Sequence, residues 1–252
     1  MLTKARIKTI AELRDKRAAR EEHGLFVAEG PKVVEELLQA DNVQADEIYA
    51  LGEWLEDYYD LVESQSRFFM EITDAELQRL SGLKTPNAVV GVFRFPEFTR
   101  GGTEASGITL LLDTIQDPGN LGTIIRTADW FGVRRVICSR NCADAFGSKV
   151  VQATMGSLAR VEVIYEDLAA ALNARPDMSV LAAAIDGESI YELPAMDRAY
   201  VLIGNESRGL SPALLERATR TVSVPRRGRA ESLNAAVATG IILGELTARA
   251  GK

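Results

Sequence analysis

The stretch ITLLLDTIQDPGNLGTIIRTADWFGVRRVIC, residues 108–138, decides the fold. It opens on the apolar run ITLLLD and turns at Asp117-Pro118-Gly119. Apolar residues then follow at helical spacing from Leu121 to Phe131, and a second apolar run, VRRVIC, closes it. Strand, helix and strand in succession form the unit from which parallel sheets are built. The pattern continues downstream. ARVEVIY, SVLAAAI, AYVLIG and TVSVP read as strands, and helices are expected near 149–158, 167–174 and 232–250. Such alternation predicts an α/β domain with a parallel sheet covered by helices on both faces.

Upstream, residues 1–95 also mix helix and strand. The segment 5–21 places Ile7, Ile10, Leu13 and Ala18 near one helical face. GLFVAEG reads as a strand entering a turn, and Pro31 suits the first turn of the helix that follows. DEIYAL, RFFMEI and AVVGVFRF are further strands. Thr73 and Glu76 have the spacing of a capping box. The segment 96–107, PEFTRGGTEASG, is rich in Gly, Ser, Thr and Pro. It reads as a linker dividing the chain into domains of 1–95 and 108–252.

With 46% hydrophobic and 26% charged residues, 252 residues can bury a substantial core. No run of eighteen apolar residues suggests a membrane span, and MLTKARIKTIAELRDK lacks the apolar core of a secretory signal. A cytoplasmic protein is expected. Cys138 and Cys142 are too few for a disulfide framework, and with His23 they do not make four zinc ligands. No metal is therefore expected. The net charge of −7 argues against coating nucleic acid by bulk charge. Local basic clusters remain: Lys4, Arg6, Lys8, Arg14, Lys16, Arg17 and Arg20 on the first helix; Arg134, Arg135 and Arg140; and Arg226, Arg227 and Arg229. Each alone could be no more than a solvated face.

Open α/β sheets take ligands beyond the carboxyl ends of their strands, so the loops there merit reading. In 113–126, Asn120 could cap the helix or present its amide to a ligand. Arg126 could hold a phosphate with its forked guanidinium, or pair with Asp129 on the surface. In 203–212, Gly204 and Gly209 flank Asn205-Glu206-Ser207-Arg208 and would let backbone approach a ligand. Neither the dinucleotide glycine fingerprint nor a P-loop is present. In 222–234 an apolar strand leaves into a basic loop. Ser232 reads equally as a helix cap or a functional hydroxyl, and Asn234 falls in the first turn. The small residues Ala235, Ala236, Ala238 and Gly240 suit a dimer contact or an internal one. Gly156, in a helical pattern, implies close packing.

In order, spacing and residue type, DPGNLGTIIRTADWFGV, LIGNESRGLS and VPRRGRAESLNAAVATGIIL resemble the three motifs of the SpoU (TrmH-like) RNA 2′-O-methyltransferases of the SPOUT class. The resemblance runs from Ile108 to the end. The first half, with GLFVAEGPKVVEELL, more loosely resembles the same family's substrate-binding domain. The resemblance implies a ribosomal-protein-like α/β domain followed by a SPOUT α/β domain with a deep trefoil knot, which no periodicity would reveal. It implies S-adenosylmethionine as cofactor, structured ribosomal or transfer RNA as substrate, and a homodimer through the knot. It assigns Asn120, Arg126, Glu206, Ser232 and Asn234 to catalysis. Largely backbone cofactor contacts fall to Gly204, Val224 and Leu233, with Ile203 and Ala183 beside them. Arg226 stands where the family often has Met, and Gln152 where it often has a basic residue. A separate N-terminal domain favours ribosomal RNA, an argument by analogy of fold. Two other readings compete: a catalytically inactive RNA-binding assembly factor of the same fold, and a nicotinamide oxidoreductase. The motif residues oppose the first, and the missing glycine fingerprint opposes the second.

Overall fold

In the computed structural model, residues 2–98, 107–194 and 196–249 are described. Most of the linker expected at 96–107 lies outside them, as does Ala250 of the last helix. The chain forms two compact units. One comprises the residues through Phe98 together with Asp144–Ala159, and the other comprises the remainder.

The first unit begins with α1 (Lys4–Asp15) and α2 (Arg17–His23). The sequence pattern suggested one helix here, but Lys16 is extended and breaks it. There follow β1 (Leu25–Glu29), α3 (Pro31–Leu38), β2 (Ala45–Ala50), α4 (Gly52–Asp57), α5 (Tyr59–Gln65), β3 (Phe69–Glu71), α6 (Asp74–Leu80) and β4 (Val89–Arg94). The strands form a sheet in the order β1-β4-β2-β3, with β4 antiparallel to β1 and β2, and β3 parallel to β2. Pro31 opens α3, and Thr73 with Glu76 forms the capping box of α6. Ile10 and Leu13 of α1 pack with Val27, Tyr49, Leu77, Leu80, Val90 and Val92 in one core cluster.

The second unit contains β5 (Ile108–Leu112), α7 (Pro118–Trp130), β6 (Arg135–Cys138), and later β7 (Glu162–Tyr165), α9 (Leu168–Ala174), β8 (Val180–Ser189), β9 (Ala199–Ile203), α10 (Pro212–Leu215), β10 (Arg220–Ser223) and α11 (Ala235–Arg249). Between β6 and β7, α8 (Ser148–Thr154) belongs to the first unit. All pairings of the second sheet are parallel, in the order β10-β8-β9-β5-β6-β7. A cluster of Leu111, Leu168, Leu172, Leu202 and Leu214 fills the space between this sheet, α9 and α10. Helices α7 and α11 pack together, burying Leu121, Ile124, Ile125, Ile242 and Leu243. The small face of α11 takes part in this internal contact: a Cβ at Gly240 or Gly244 would come into ordinary van der Waals contact with Thr127 or Phe131.

The segment Asp144–Ala159 is where the chain departs from the expected split into 1–95 and 108–252. Arg20, only 4% exposed, donates to Asp144 Oδ2 from Nε (2.9 Å) and Nη2 (2.6 Å), and to the carbonyls of Leu13 and Arg14. A buried guanidinium is tolerable only when so fully paired. Phe146 stacks on Phe95 at 4.2 Å and lies 5.2 Å from Phe26, and α8 packs on β1. Gly156 lies beyond the helix, not inside it, with φ +89°; a Cβ there would meet Glu36 Cβ at 2.5 Å.

The basic first helix is largely neutralised at home. Arg6 pairs with Glu47, Arg14 with Asp15, Lys16 with Glu12, Arg17 with Glu21 and Arg20 with Asp144. Among the described residues only Lys4 and Lys8 of that cluster lack an ion-pair partner. Arg135 likewise pairs with Glu162 at 2.7 Å.

Candidate active site

The three loops leave the carboxyl ends of β5, β9 and β10. Each is shaped by local chemistry before it meets the others. Asp117, not Asn120, caps α7: its Oδ1 accepts from the Asn120 backbone N–H at 2.8 Å, and Pro118 occupies the first helical position. The Asn120 side chain is thereby released for other work.

In the β9 loop, a Cβ at Gly204 would lie 2.4 Å from the Gly209 carbonyl carbon and 2.5 Å from Leu210 N, so the turn closes only with glycine there. Asn205 and Gly209 exchange backbone hydrogen bonds of 2.8 and 3.2 Å. Asn205 Oδ1 accepts from the N–H groups of Ser207 and Arg208, and its Nδ2 donates to the Thr114 carbonyl at 3.0 Å. Asp113 Oδ2 accepts from Ser211 N at 3.1 Å. The β5 and β9 loops are thus tied to each other.

In the β10 loop, Ser232 is not the helix cap suggested by its position. Asn234 is: its Oδ1 accepts from Ala236 N (3.0 Å) and Val237 N (3.2 Å). The helix starts at Ala235, leaving Ser232 too far upstream to reach those donors. Ser232 is exposed and makes no hydrogen bond among the described residues.

The loops converge on one carboxylate oxygen. Glu206 Oε1 accepts from Asn120 Nδ2, from Asn234 Nδ2 at 3.2 Å and from Ala235 N at 3.3 Å. Asn234 Nδ2 also donates to Asn120 Oδ1 at 2.8 Å. Three of the five expected catalytic residues therefore form one hydrogen-bonded cluster, drawn from positions up to 114 residues apart. Arg126, exposed on α7, is not hydrogen-bonded to it. The surface pair considered for Arg126 is not formed; Asp129 pairs instead with Arg160 at 2.9 Å. Arg126 has no ion-pair partner among the described residues, so its fork is available.

Of the expected cofactor contacts, Ile203 is buried, Gly204, Val224 and Ala183 are half-buried, and Leu233 is 44% exposed. Ala183 lies in an irregular part of β8. Thr221 and Val222 of β10 pair with Ala182 and Glu188, so residues 183–187 have no partner in β10. Gly187 closes that excursion against the Val222 backbone, where a Cβ would sit 2.5–2.6 Å from main-chain atoms. Among the described residues, no peptide N–H from Arg226 to Asn234 finds a protein acceptor.

Sequence reasoning missed Asp117, Asn205, Ser139 and Cys142. An Asp directly before Pro-Gly is a cap signal and could have been read. Ser139 and Cys142 act across strands, and no local pattern marks them. Ser139 Oγ accepts from Thr114 N at 2.9 Å. The Cys142 thiol is held down to about 7 chiefly by its hydrogen bond with Cys138, against the opposing effect of burial.

The SpoU rRNA Methylase family model matches residues 107–244, and an MRM3-like substrate binding domain model matches residues 4–91. RlmP of Bacillus subtilis, a 23S rRNA (guanosine(2553)-2′-O)-methyltransferase, is 33% identical over 221 residues, covering 86% of both chains. A TrmH-family protein from Porphyromonas gingivalis superimposes with a TM-score of 0.84 and 35% identity over 99% of each chain. The AdoMet-bound rRNA methyltransferase of Sinorhizobium meliloti does so with a TM-score of 0.84 and 29% identity, over 98% of this chain and 95% of that one. The chain belongs to the SpoU rRNA methylase family, a family of RNA methyltransferases.

Proposed function

We propose that this protein transfers the methyl group of S-adenosylmethionine to a ribose 2′-hydroxyl of 23S-type ribosomal RNA. The observation that carries the reading is the convergence of Asn120, Glu206 and Asn234 from three loops, with an unpaired Arg126 on the helix that bears Asn120. The similarity to RlmP over both domains supports the choice of RNA and of the 2′-hydroxyl.

The residues present fit the cofactor. Backbone at Ile203, Gly204, Val224 and Leu233, with Ala183 alongside, would hold it; unpaired N–H groups between Arg226 and Asn234 supply donors. Exposed Leu233 and Ile185 supply apolar surface. S-adenosylmethionine, when bound, supplies an electrophilic methyl on a sulfonium. The chain must then place the hydroxyl in line and manage its proton. Alignment of two reactants contributes roughly 7–11 kcal/mol, and a positioned base about 10²–10⁴-fold. A guanidinium, which holds its proton firmly, is a poor base. Arg126 instead grips the substrate phosphate and stabilises the developing alkoxide, and that phosphate relays the proton to water. Asn120 and Ser232 orient ribose and guanidinium. Glu206 holds Asn120 and Asn234 in register.

The second unit offers cations for phosphate contacts. Arg126, Arg134, Arg140, Arg208, Arg227 and Arg229 have no ion-pair partner among the described residues, unlike most cations of the first helix. We further propose that the chain after β10 is threaded as a trefoil knot, as the family resemblance implies. A homodimer would use the exposed Trp130 (85%) of α7 and Val237 (52%) of α11. We also propose that the protein acts in the cytoplasm, which the similarity to a bacterial 23S rRNA methyltransferase supports.

Calorimetric titration with S-adenosylmethionine tests the cofactor reading; one site per chain is expected, and none for nicotinamide cofactors. Mapping of 2′-O-methyl groups on a 23S rRNA transcript incubated with enzyme tests the reaction. Methylation of a tRNA transcript instead would overturn the choice of RNA. Methylation of a base would overturn the choice of atom.

A further inference from the structure

The loop after β6 carries none of the family motifs, yet it grips the exit of β5 at successive points. Ser139 N donates to the Leu112 carbonyl at 2.9 Å, and Ser139 Oγ accepts from Thr114 N at 2.9 Å. The Cys142 thiol accepts from Ile115 N at 3.3 Å and donates to the Leu112 carbonyl at 3.2 Å. Ala143 N closes the set on the Ile115 carbonyl at 2.8 Å. What is held there is a strained residue: Thr114, a β-branched side chain, sits at φ +60°. Such conformations persist only where the surroundings over-determine them, and they concentrate at functional sites.

Thr114 faces the site through its other end. Its carbonyl accepts from Asn205 Nδ2 at 3.0 Å, and Asn205 organises the loop that presents Glu206. A continuous run of hydrogen bonds therefore leads from Ser139 and Cys142, through Thr114 and Asn205, to the carboxylate that gathers Asn120 and Asn234. We propose that Ser139 and Cys142 are positioning residues for the methyl-transfer site, setting the backbone of Thr114 and through it the Glu206 loop. The proposal rests on the methyl-transfer reading for its kinetic consequence, though not for its structural one. Leu172 of α9, buried in the core cluster of the second unit, serves as a comparison for lost stability alone.

The test compares Ser139→Ala, Cys142→Ala, Cys142→Ser and Leu172→Ala with the parent enzyme. It uses S-adenosylmethionine and a 23S rRNA transcript, with Tm measured for each variant. The expected result is a kcat lowered about tenfold or more for Ser139→Ala and Cys142→Ala, with KM for both substrates within about twofold, because placement is lost and binding is not. Cys142→Ser, which can still accept from Ile115 N and donate to Leu112, should recover most of the loss. Leu172→Ala should keep the parent kcat even where its Tm falls. Parent kcat in both alanine variants would overturn the proposal. So would losses that follow Tm across all four variants, Leu172→Ala included. A second readout needs no catalysis: hydrogen exchange at the Thr114 amide and the Asn205 side-chain amide, by NMR on asparagine- and threonine-labelled protein, should quicken in Ser139→Ala and Cys142→Ala alone. Unchanged exchange would overturn the positioning claim. Absence of methyl transfer by the parent enzyme would overturn the functional reading and leave the exchange result to decide the structural one.

Discussion

Replacing Asn234 separates two jobs that one side chain performs. Its Oδ1 caps α11, and its Nδ2 bridges Asn120 and Glu206. Loss of an Asn cap to Ala costs about 1 kcal/mol, within a range of roughly 0.5–2. The two amide hydrogen bonds lie at the surface, where water replaces much of what is lost, so they add only a few tenths to about 1 kcal/mol. Asn234→Ala should therefore destabilise by about 1–2 kcal/mol. At roughly 2–4 °C per kcal/mol for a chain of this size, Tm should fall by about 2–8 °C. Asn234→Ser keeps a cap of similar rank and loses only the amide bonds, a few tenths to about 1 kcal/mol. Both variants lose the donor to Glu206, and both should show kcat reduced by about tenfold or more. Asn234→Asp keeps the cap and suits the helix N-terminus. It also sets a second carboxylate against Glu206, so its activity should be the lowest of the three. Urea or thermal unfolding followed by circular dichroism gives the stabilities, and transfer of labelled methyl to a 23S rRNA transcript gives the rates. Equal Tm for the Ala and Ser variants would refute the capping role. Parent kcat in Asn234→Ser would refute the need for the amide.

Arg126→Lys should leave Tm unchanged, because the side chain is exposed and unpaired, while kcat falls by about a hundredfold or more with loss of the forked contact; near-normal turnover would remove Arg126 from its assigned role. Gly204→Ala places a carbon 2.4 Å from the Gly209 carbonyl carbon and should abolish calorimetric binding of S-adenosylmethionine. Arg20→Ala strips Asp144 of its partner in a largely buried setting and should cost about 3–5 kcal/mol, read by urea unfolding. In filter-binding at increasing salt, the double variant Arg226→Glu/Arg227→Glu should weaken RNA affinity and flatten its salt dependence, whereas Arg17→Glu, at a site already paired with Glu21, should do so far less.

The strands and helices of the second unit were legible because buried parallel strands write themselves as apolar runs and their crossovers as helical spacing. The register of β8 was not. SVLAAAI reads as an uninterrupted strand, and nothing in it marks residues 183–187 as unpaired with β10. Asn120, Glu206 and Asn234 could be nominated from their loops, but only the folded chain brings them onto a single oxygen. The roles of Asn234 and Ser232 as caps were exchanged because the helix begins one turn later than its apolar spacing suggested. The neutralisation of the basic first helix was hidden for a different reason. Charge is visible in a sequence and its partner is not: the Glu47 that meets Arg6 lies 41 residues away, and the Asp144 that meets Arg20 lies 124 away.

That last pairing bears on how the protein can be taken apart. Because Asp144–Ala159 folds with the first unit, the chain passes between the two units three times, and no single cut yields two self-sufficient pieces. A catalytic fragment beginning at Gly107 would carry sixteen residues stripped of their packing, with Phe146, Val150, Val151 and Leu158 laid bare. Such a fragment invites aggregation. The complementary fragment, ending at Phe98, would lack the ring that stacks on Phe95 and the carboxylate that answers Arg20. Protease nicking in the 99–106 stretch should therefore leave both products associated under native conditions. In inheritance as well, the pair should travel together: a swapped substrate domain would need its own version of this excursion grafted between β6 and β7.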